Sequence, residues 1–328
     1  MSRKDYDQIM QKTNDFLRLW REGKTDGLED IVASDTLCNL GTVKEFPDGS
    51  QHSRYGVANF IVDTPEADLF HLTCCNYVCR LKDTDAQQSF VAVVHVVKFM
   101  GEEIKTFEFS AFFNNSWKKR GEEWLISEMR MDIVDFHGDY EEFLDCWYYE
   151  EPKAKWRPGI HLPVIQGEMD SPWTKIPDAE DLLTEEEKCL EQFYRYAYGI
   201  DTLACQHVYD AFDEDVLINM APWGILDKRG YLTAVKYHRQ SSRYWTHTAR
   251  PDNIELDGNT CRMSLPRLAG HKQKKHDIVI TRENMNHEFA CARYEVEFKK
   301  RNGIWKITKL NYYLGVIDLG EYKEGNKV

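Results

Sequence analysis

Asp35-Thr36-Leu37-Cys38-Asn39 returns 180 residues later as Asp215-Val216-Leu217-Ile218-Asn219. Each segment follows a stretch with apolar residues at helical spacing. Further out, Lys118-Lys119-Arg120 precedes Trp124 and Ile126, and Lys299-Lys300-Arg301 precedes Trp305 and Ile307, displaced by 181. Between these anchors His71, in HLTCCNYV, has a counterpart in His247, in HTARPDNI, displaced by 176. Three anchors in one order at nearly one offset mark a duplicated unit. The copies run over about residues 5–137 and 184–322.

Both copies read alike. A helix comes first, with Ile9, Phe16, Leu17, Leu19 and Trp20 on its apolar face in one copy and Leu190, Phe193, Tyr194 and Ala197 in the other. Thr184 with Glu187 forms a capping box ahead of the second. A second short helix (Leu28 to Val32; His207 to Phe212) leads to the shared Asp-x-Leu-x-Asn, which reads as turn chemistry. Long β-branched and aromatic runs follow: Phe90 to Phe99, Phe107 to Phe113, Ala290 to Phe298, Trp305 to Tyr313. Helices followed by a meander of long strands predict an α+β fold, with a curved antiparallel sheet wrapping the helices. Residues 1–137 and 184–328 form the two domains. Residues 138–183, with Trp147, Trp156, Trp173 and five prolines, read as an ordered strap packed over both.

The chain has 328 residues, 42% hydrophobic and 30% charged, with a formal net charge of −13. That composition is globular, and the acidic balance argues against nucleic acid as a partner. No stretch has the apolar length of a membrane span. The nine scattered cysteines and the charged start MSRKDYDQIMQKTND point to a reduced, cytoplasmic setting. Cys74-Cys75-x3-Cys79 is the densest cysteine group. It lacks paired metal-ligand spacing, and no phosphate-binding glycine motif occurs, so neither metal nor cofactor is expected.

Tyr196-Ala197-Tyr198-Gly199-Ile200-Asp201, the mid-unit histidine and the closing Trp-x-Ile hairpin resemble the SnoaL-like branch of the nuclear transport factor 2-like fold. That branch includes polyketide cyclases, scytalone dehydratase, bile-acid 7α-dehydratase and ketosteroid isomerase. The resemblance covers both units and implies two cone-shaped cystatin-like α+β barrels packed as a pseudo-dimer, with further homo-oligomers possible. It also implies a pocket inside each cone. Asp201 falls on the family's helix acid, Tyr196 or Tyr198 on its tyrosine, His247 on its strand histidine and His271 on a second histidine. In the first unit Arg21 stands at the Asp201 position and Trp20 at the Ile200 position, while His71 and His95 supply candidate histidines. These residues imply a cofactor-independent lyase or isomerase of dehydratase type, acting on a hydrophobic, oxygenated small molecule such as a polyketide or steroid-like hydroxy-ketone. A non-catalytic binding or scaffolding protein is the other reading. An enzyme predicts Asp201 and His247 within hydrogen-bond reach, or bridged by one water, facing a pocket of at least about 300 Å³, whereas a scaffold predicts a cone plugged by its own side chains with these residues apart.

Overall fold

The structure, a computed structural model, describes residues 2–40, 50–139, 164–220, 222–239, 246–268 and 278–322. It divides into two compact units, residues 1–182 and 183–322 among the described ones. In the first, α1 (Arg3–Glu22) leads to β1 (Val32–Leu40), α2 (Arg54–Val62) and four long strands, β2 (Leu69–Lys82), β3 (Asp85–Met100), β4 (Glu103–Arg120) and β5 (Glu123–Gly138). The short helices α3 (Gly167–Asp170) and α4 (Pro172–Lys175) close this unit. The second repeats the plan: α5 (Glu185–Asp201), α6 (Cys205–Ala211), β6 (Phe212–Met220), β7 (Gly224–Leu226), α7 (Lys228–Arg239), β8 (Asn253–Asp257), β9 (Thr260–Arg267), β10 (His287–Arg301) and β11 (Ile304–Glu321). The sheet orders are β1-β5-β4-β3-β2 and β7-β6-β11-β10-β9-β8. Both units are α+β.

Two sequence expectations change. Asp-x-Leu-x-Asn is strand rather than turn: it lies inside β1 and β6, whose buried and exposed positions follow one identical pattern. Each of these strands pairs in parallel with the last strand of its unit, so the sheets are mixed rather than wholly antiparallel. Strand formation is favoured because Thr36, Cys38 and Leu40 alternate inward while Asp35, Leu37 and Asn39 face out. Helices α2 and α7 are additional to the elements read from the sequence.

The repeat is visible in its bonds. The Asp5 carboxylate accepts from Lys119 Nζ at 2.7 Å and Trp124 Nε1 at 3.0 Å. Glu185, 180 positions later, accepts from Lys300 and from Trp305 Nε1 at 2.8 Å. These lysine and indole donors hold both carboxyls below the usual carboxylate range, Glu185 at about 2. The closing hairpins turn tightly, through Gly121 (φ 66°) in one unit and Asn302-Gly303 (φ 53° and 81°) in the other.

The described part of the strap bonds to first-unit strands. Val164 and Ile165 donate their N–H groups to Asp132, Arg80 donates to the carbonyls of Ile176 and Pro177, and Asn114 donates to that of Asp170. Trp147 and Trp156 lie outside the described residues.

Helix α5 ends against α6 through Gly199. A Cβ there would lie 2.8 Å from the Val208 backbone nitrogen and 2.9 Å from the Ala204 carbonyl oxygen. Backbone atoms cannot rotate away, so Gly199→Ala is expected to destabilise the second unit by about 1–3 kcal/mol despite alanine's better helix propensity. A urea-unfolding comparison of the two proteins measures this.

Candidate functional site

The capping box read from the sequence starts α5: Thr184 Oγ1 accepts from the Glu187 N–H and Glu187 accepts from the Thr184 N–H. From there Cys189, Phe193, Tyr196, Ala197 and Ile200 recur at helical spacing and are buried. Asp201 is the last helical residue, where the helix dipole disfavours a negative charge. Two donors from one residue compensate. The His247 N–H donates to Asp201 Oδ2 at 2.8 Å, and His247 Nδ1 lies 2.6 Å from Asp201 Oδ1. Side-chain exposure is 6% for His247 and 3% for Asp201, so this is a buried pair. A carboxylate only accepts, which places a proton on Nδ1, so that in the neutral form of the ring the basic lone pair is on Nε2.

The Tyr196 ring centroid is 6.1 Å from that of His247. Its hydroxyl is 2.8 Å from the Tyr231 hydroxyl on α7. Burial raises both phenols well above their ordinary range, so each keeps its proton. Further along the same face, Arg267 on β9 is 4% exposed. It donates to the Tyr312 hydroxyl at 2.9 Å and to the Thr246 carbonyl. Tyr294 on β10 is fully buried between Phe193 and Tyr312, at centroid distances of 5.2 and 4.9 Å. Arg267, Tyr294, Tyr312 and Tyr231 escaped the sequence reading. The signal available for two of them was strand parity: Tyr294 alternates with the buried Val296 and Phe298, and Tyr312 with the buried Leu310.

Other candidates fall elsewhere. Tyr198 is buried on another face of α5, its ring 5.9 Å from that of His207 on α6. Burial, with Arg195 beside it, holds His207 down at about 4. His271 lies outside the described residues.

His71 is not the structural twin of His247. Cys74 pairs with Ala92, which pairs with Ala111; Ala249 pairs with Arg267, which pairs with Ala292. On that register the counterpart of His247 is Leu72, one residue beyond His71. A slip of one along a strand moves a side chain to the other face of the sheet. His71 and His95 sit opposite each other in the ladder. They share the face of Val91 and Val93, whereas the face of Phe90 packs toward α1 through the Phe90–Phe113 stack at 4.7 Å. The two histidines therefore lie on the sheet face away from the helix. Burial, reinforced by Arg21, holds His71 down at about 4.

The same register compares the interiors. Tyr196 corresponds to Phe16, Tyr231 to Val57, His247 to Leu72, Arg267 to Ala92, Tyr294 to Phe113 and Tyr312 to Met131. Each of these six polar groups of the second unit is thus an apolar side chain in the first, whereas the charged Asp201 is matched by the charged Arg21. There Trp20, fully buried, packs against Phe60, Phe70, Phe109 and Phe113 at centroid distances of 4.6 to 6.5 Å.

Among the described residues no three His, Cys, Asp or Glu side chains gather as a metal site, and no helix is long and apolar enough to cross a membrane.

No curated protein matches. Among solved structures, a candidate scytalone dehydratase from Novosphingobium aromaticivorans is 12% identical and aligns over 40% of this chain and 86% of its own, with a TM-score of 0.33. An NTF2-like protein from Cytophaga hutchinsonii is 12% identical over 40% of this chain and 100% of its own, with a TM-score of 0.29. An NTF2-like protein with a cystatin-like fold, also from Novosphingobium aromaticivorans, is 13% identical over 40% and 83%, with a TM-score of 0.33. Residues 181–311, which carry Asp201, His247, Tyr196, Tyr231, Arg267 and Tyr294, match the SnoaL-like domain family, and this second unit belongs to it.

Proposed function

We propose that the second unit is a cofactor-independent lyase or isomerase of dehydratase type, acting on a hydrophobic carbonyl compound with a hydroxyl two carbons from the carbonyl. The observation that carries this reading is the buried Asp201–His247 contact at 2.6 Å. In the first unit Arg21 and Leu72 stand in its place.

The chemistry follows from proton positions. His247 Nε2 takes the proton from the carbon beside the carbonyl, and that C–H electron pair becomes the enolate. Asp201 stabilises the imidazolium so formed, with the proton on Nδ1 shared at short distance. The enolate then reforms the carbonyl and expels the hydroxyl, which takes the proton from Nε2 and leaves as water. If the enolate is instead reprotonated at the more distant carbon of an unsaturated ketone, the double bond migrates. Both outcomes need one base that returns its proton, and neither needs a redox partner. The first unit, filled by Trp20 and its phenylalanines, is read as structural.

Solvent exchange isolates the first step. In deuterium oxide, wild-type protein is expected to exchange the α-hydrogens of a β-hydroxy ketone well above the buffer rate, followed by proton NMR. His247→Ala is expected to return exchange to the buffer rate. Equal exchange by the two proteins rejects the reading.

A further inference from the structure

A surface groove of about 490 Å³ lies on the second unit, lined by Tyr209 of α6, Glu214 of β6 and Lys228, Arg229, Leu232 and Lys236 of α7. Its floor is fixed. The Lys228 side chain is 7% exposed, and its ammonium donates to the Phe212 carbonyl at 3.2 Å and to Glu214 at 2.9 Å. The same ammonium lies 3.5 Å from the centroid of the Tyr209 ring. Asp227, just ahead of α7, accepts from the Gly230 N–H at 2.7 Å, so both acids at the groove are engaged. The cations Arg229 and Lys236 are not. Both are exposed, and among the described residues neither forms an ion pair or a side-chain hydrogen bond. They stand two turns apart on one face of α7, about 10 Å along its axis.

The first unit has the frame of this groove without its charge. Arg54 donates to the Val32 carbonyl as Lys228 does to that of Phe212, and Val32 and Phe212 open β1 and β6. Counted from that bond, Tyr55 and Val62 stand where the second unit has Arg229 and Lys236, and Glu29 stands at the position of Tyr209. The helix does not need the two cations, because α2 is built without them. Two unpaired positive charges beside an aromatic ring are thus particular to the second unit, in a chain whose formal net charge is −13.

We propose that this groove docks an acidic peptide segment of a partner protein, with one carboxylate on Arg229, a second on Lys236 and an apolar side chain between them over Leu232 and Tyr209. The site is separate from the Asp201–His247 pair and does not depend on its chemistry. The free charges are positive, and a guanidinium receives a carboxylate through two parallel bonds. Tyrosine and arginine are also the residue types on which interface energy concentrates. Because Arg229 and Lys236 face water, a small dianion would leave its ion pairs screened, whereas a chain lying along α7 covers them. An extended chain of polyproline type turns once every three residues with a rise of about 3.1 Å, so acidic residues at i and i+3 share one side about 9 Å apart. That spacing matches the two cations.

The probe is the peptide Glu-Leu-Pro-Glu, blocked at both ends and carrying a neutral coumarin, titrated with the full-length protein in low-salt buffer and followed by fluorescence anisotropy. Wild-type protein is expected to bind it at least about tenfold more tightly than Gln-Leu-Pro-Gln, with an affinity that falls as salt is added. Arg229→Gln and Lys236→Gln are each expected to weaken binding at least about threefold, and the double variant to reduce it to that of the glutamine peptide. The urea midpoint and the hydrogen exchange of the β-hydroxy ketone should stay as in wild type, because both side chains are exposed and unpaired. No binding of the glutamate peptide, equal binding of the glutamine peptide, equal binding by the double variant, or displacement by the small dicarboxylate suberate at equal affinity would each overturn the inference. So would wild-type dimerisation, seen by analytical ultracentrifugation, that the double variant loses and the glutamate peptide does not compete with, since the groove would then belong to a second copy.

Discussion

His247→Ala is expected to lower turnover of a β-hydroxy ketone by about 10²–10⁴, the range over which a positioned general base acts. Asp201→Asn is expected to fall in the same range by a different route. Asp201 accepts from both the backbone N–H and Nδ1 of His247. An amide there can turn its NH₂ toward Nδ1, which moves the ring proton to Nε2 and removes the basic lone pair from the side that meets substrate. The ring remains in place, so Asp201→Asn should lower kcat with little change in KM. The double variant should be scarcely worse than either single one, because the two residues act as one device. Each variant also disturbs a buried pair, so equal far-UV spectra and a retained cooperative urea transition are needed to separate catalysis from folding. The pH profile gives an independent check: the limb belonging to the histidine should vanish in His247→Ala. Turnover within twofold of wild type in both variants would remove the acid–base assignment.

How far the sequence revealed this site depends on the kind of signal. The duplication was legible because its anchors are bonding devices. Asp5 and Glu185 tie the start of a helix to a lysine and a tryptophan of the last hairpin, so these residue types recur at fixed offsets. The contact between Asp201 and His247 was legible through a short family motif. What failed was strand register. The displacement of 176 that links His71 to His247 differs by one from the register of the ladders, and one residue exchanges the two faces of a sheet. Asp-x-Leu-x-Asn was mistaken for a turn because Asp and Asn favour turns locally, whereas the pairing with β5 and β11 is tertiary. Arg267 escaped for a similar reason. Arginine in a strand normally reads as a solvated position, and only the paired strands place this one inward, where it meets Tyr312 and the Thr246 carbonyl.

Trp20→Ala is expected to be the most destabilising single change in the first unit, by about 3–5 kcal/mol. Trp20 is fully buried, and its ring meets those of Phe60, Phe70, Phe109 and Phe113. Truncation removes the transfer energy of the indole and leaves a cavity walled by tilted and edge-on aromatic rings that cannot collapse far. Trp20→Phe should recover most of the loss, because a ring still bridges Phe60 and Phe113. The informative contrast is Tyr196→Phe in the second unit. It leaves the packing volume nearly intact but strands the Tyr231 hydroxyl, at an expected cost of about 1–3 kcal/mol. Urea unfolding, with hydrogen exchange resolving α1 and β2–β4 from α5 and β9–β11, measures both. If one interior is built for stability and the other for a ligand, apolar truncation should dominate in the first. Conversion of polar to apolar side chains at matched positions should be nearly neutral for stability in the second wherever no partner is stranded, as with Tyr294→Phe. A large loss of stability from Tyr294→Phe, or a small one from Trp20→Ala, would contradict that division between the two copies.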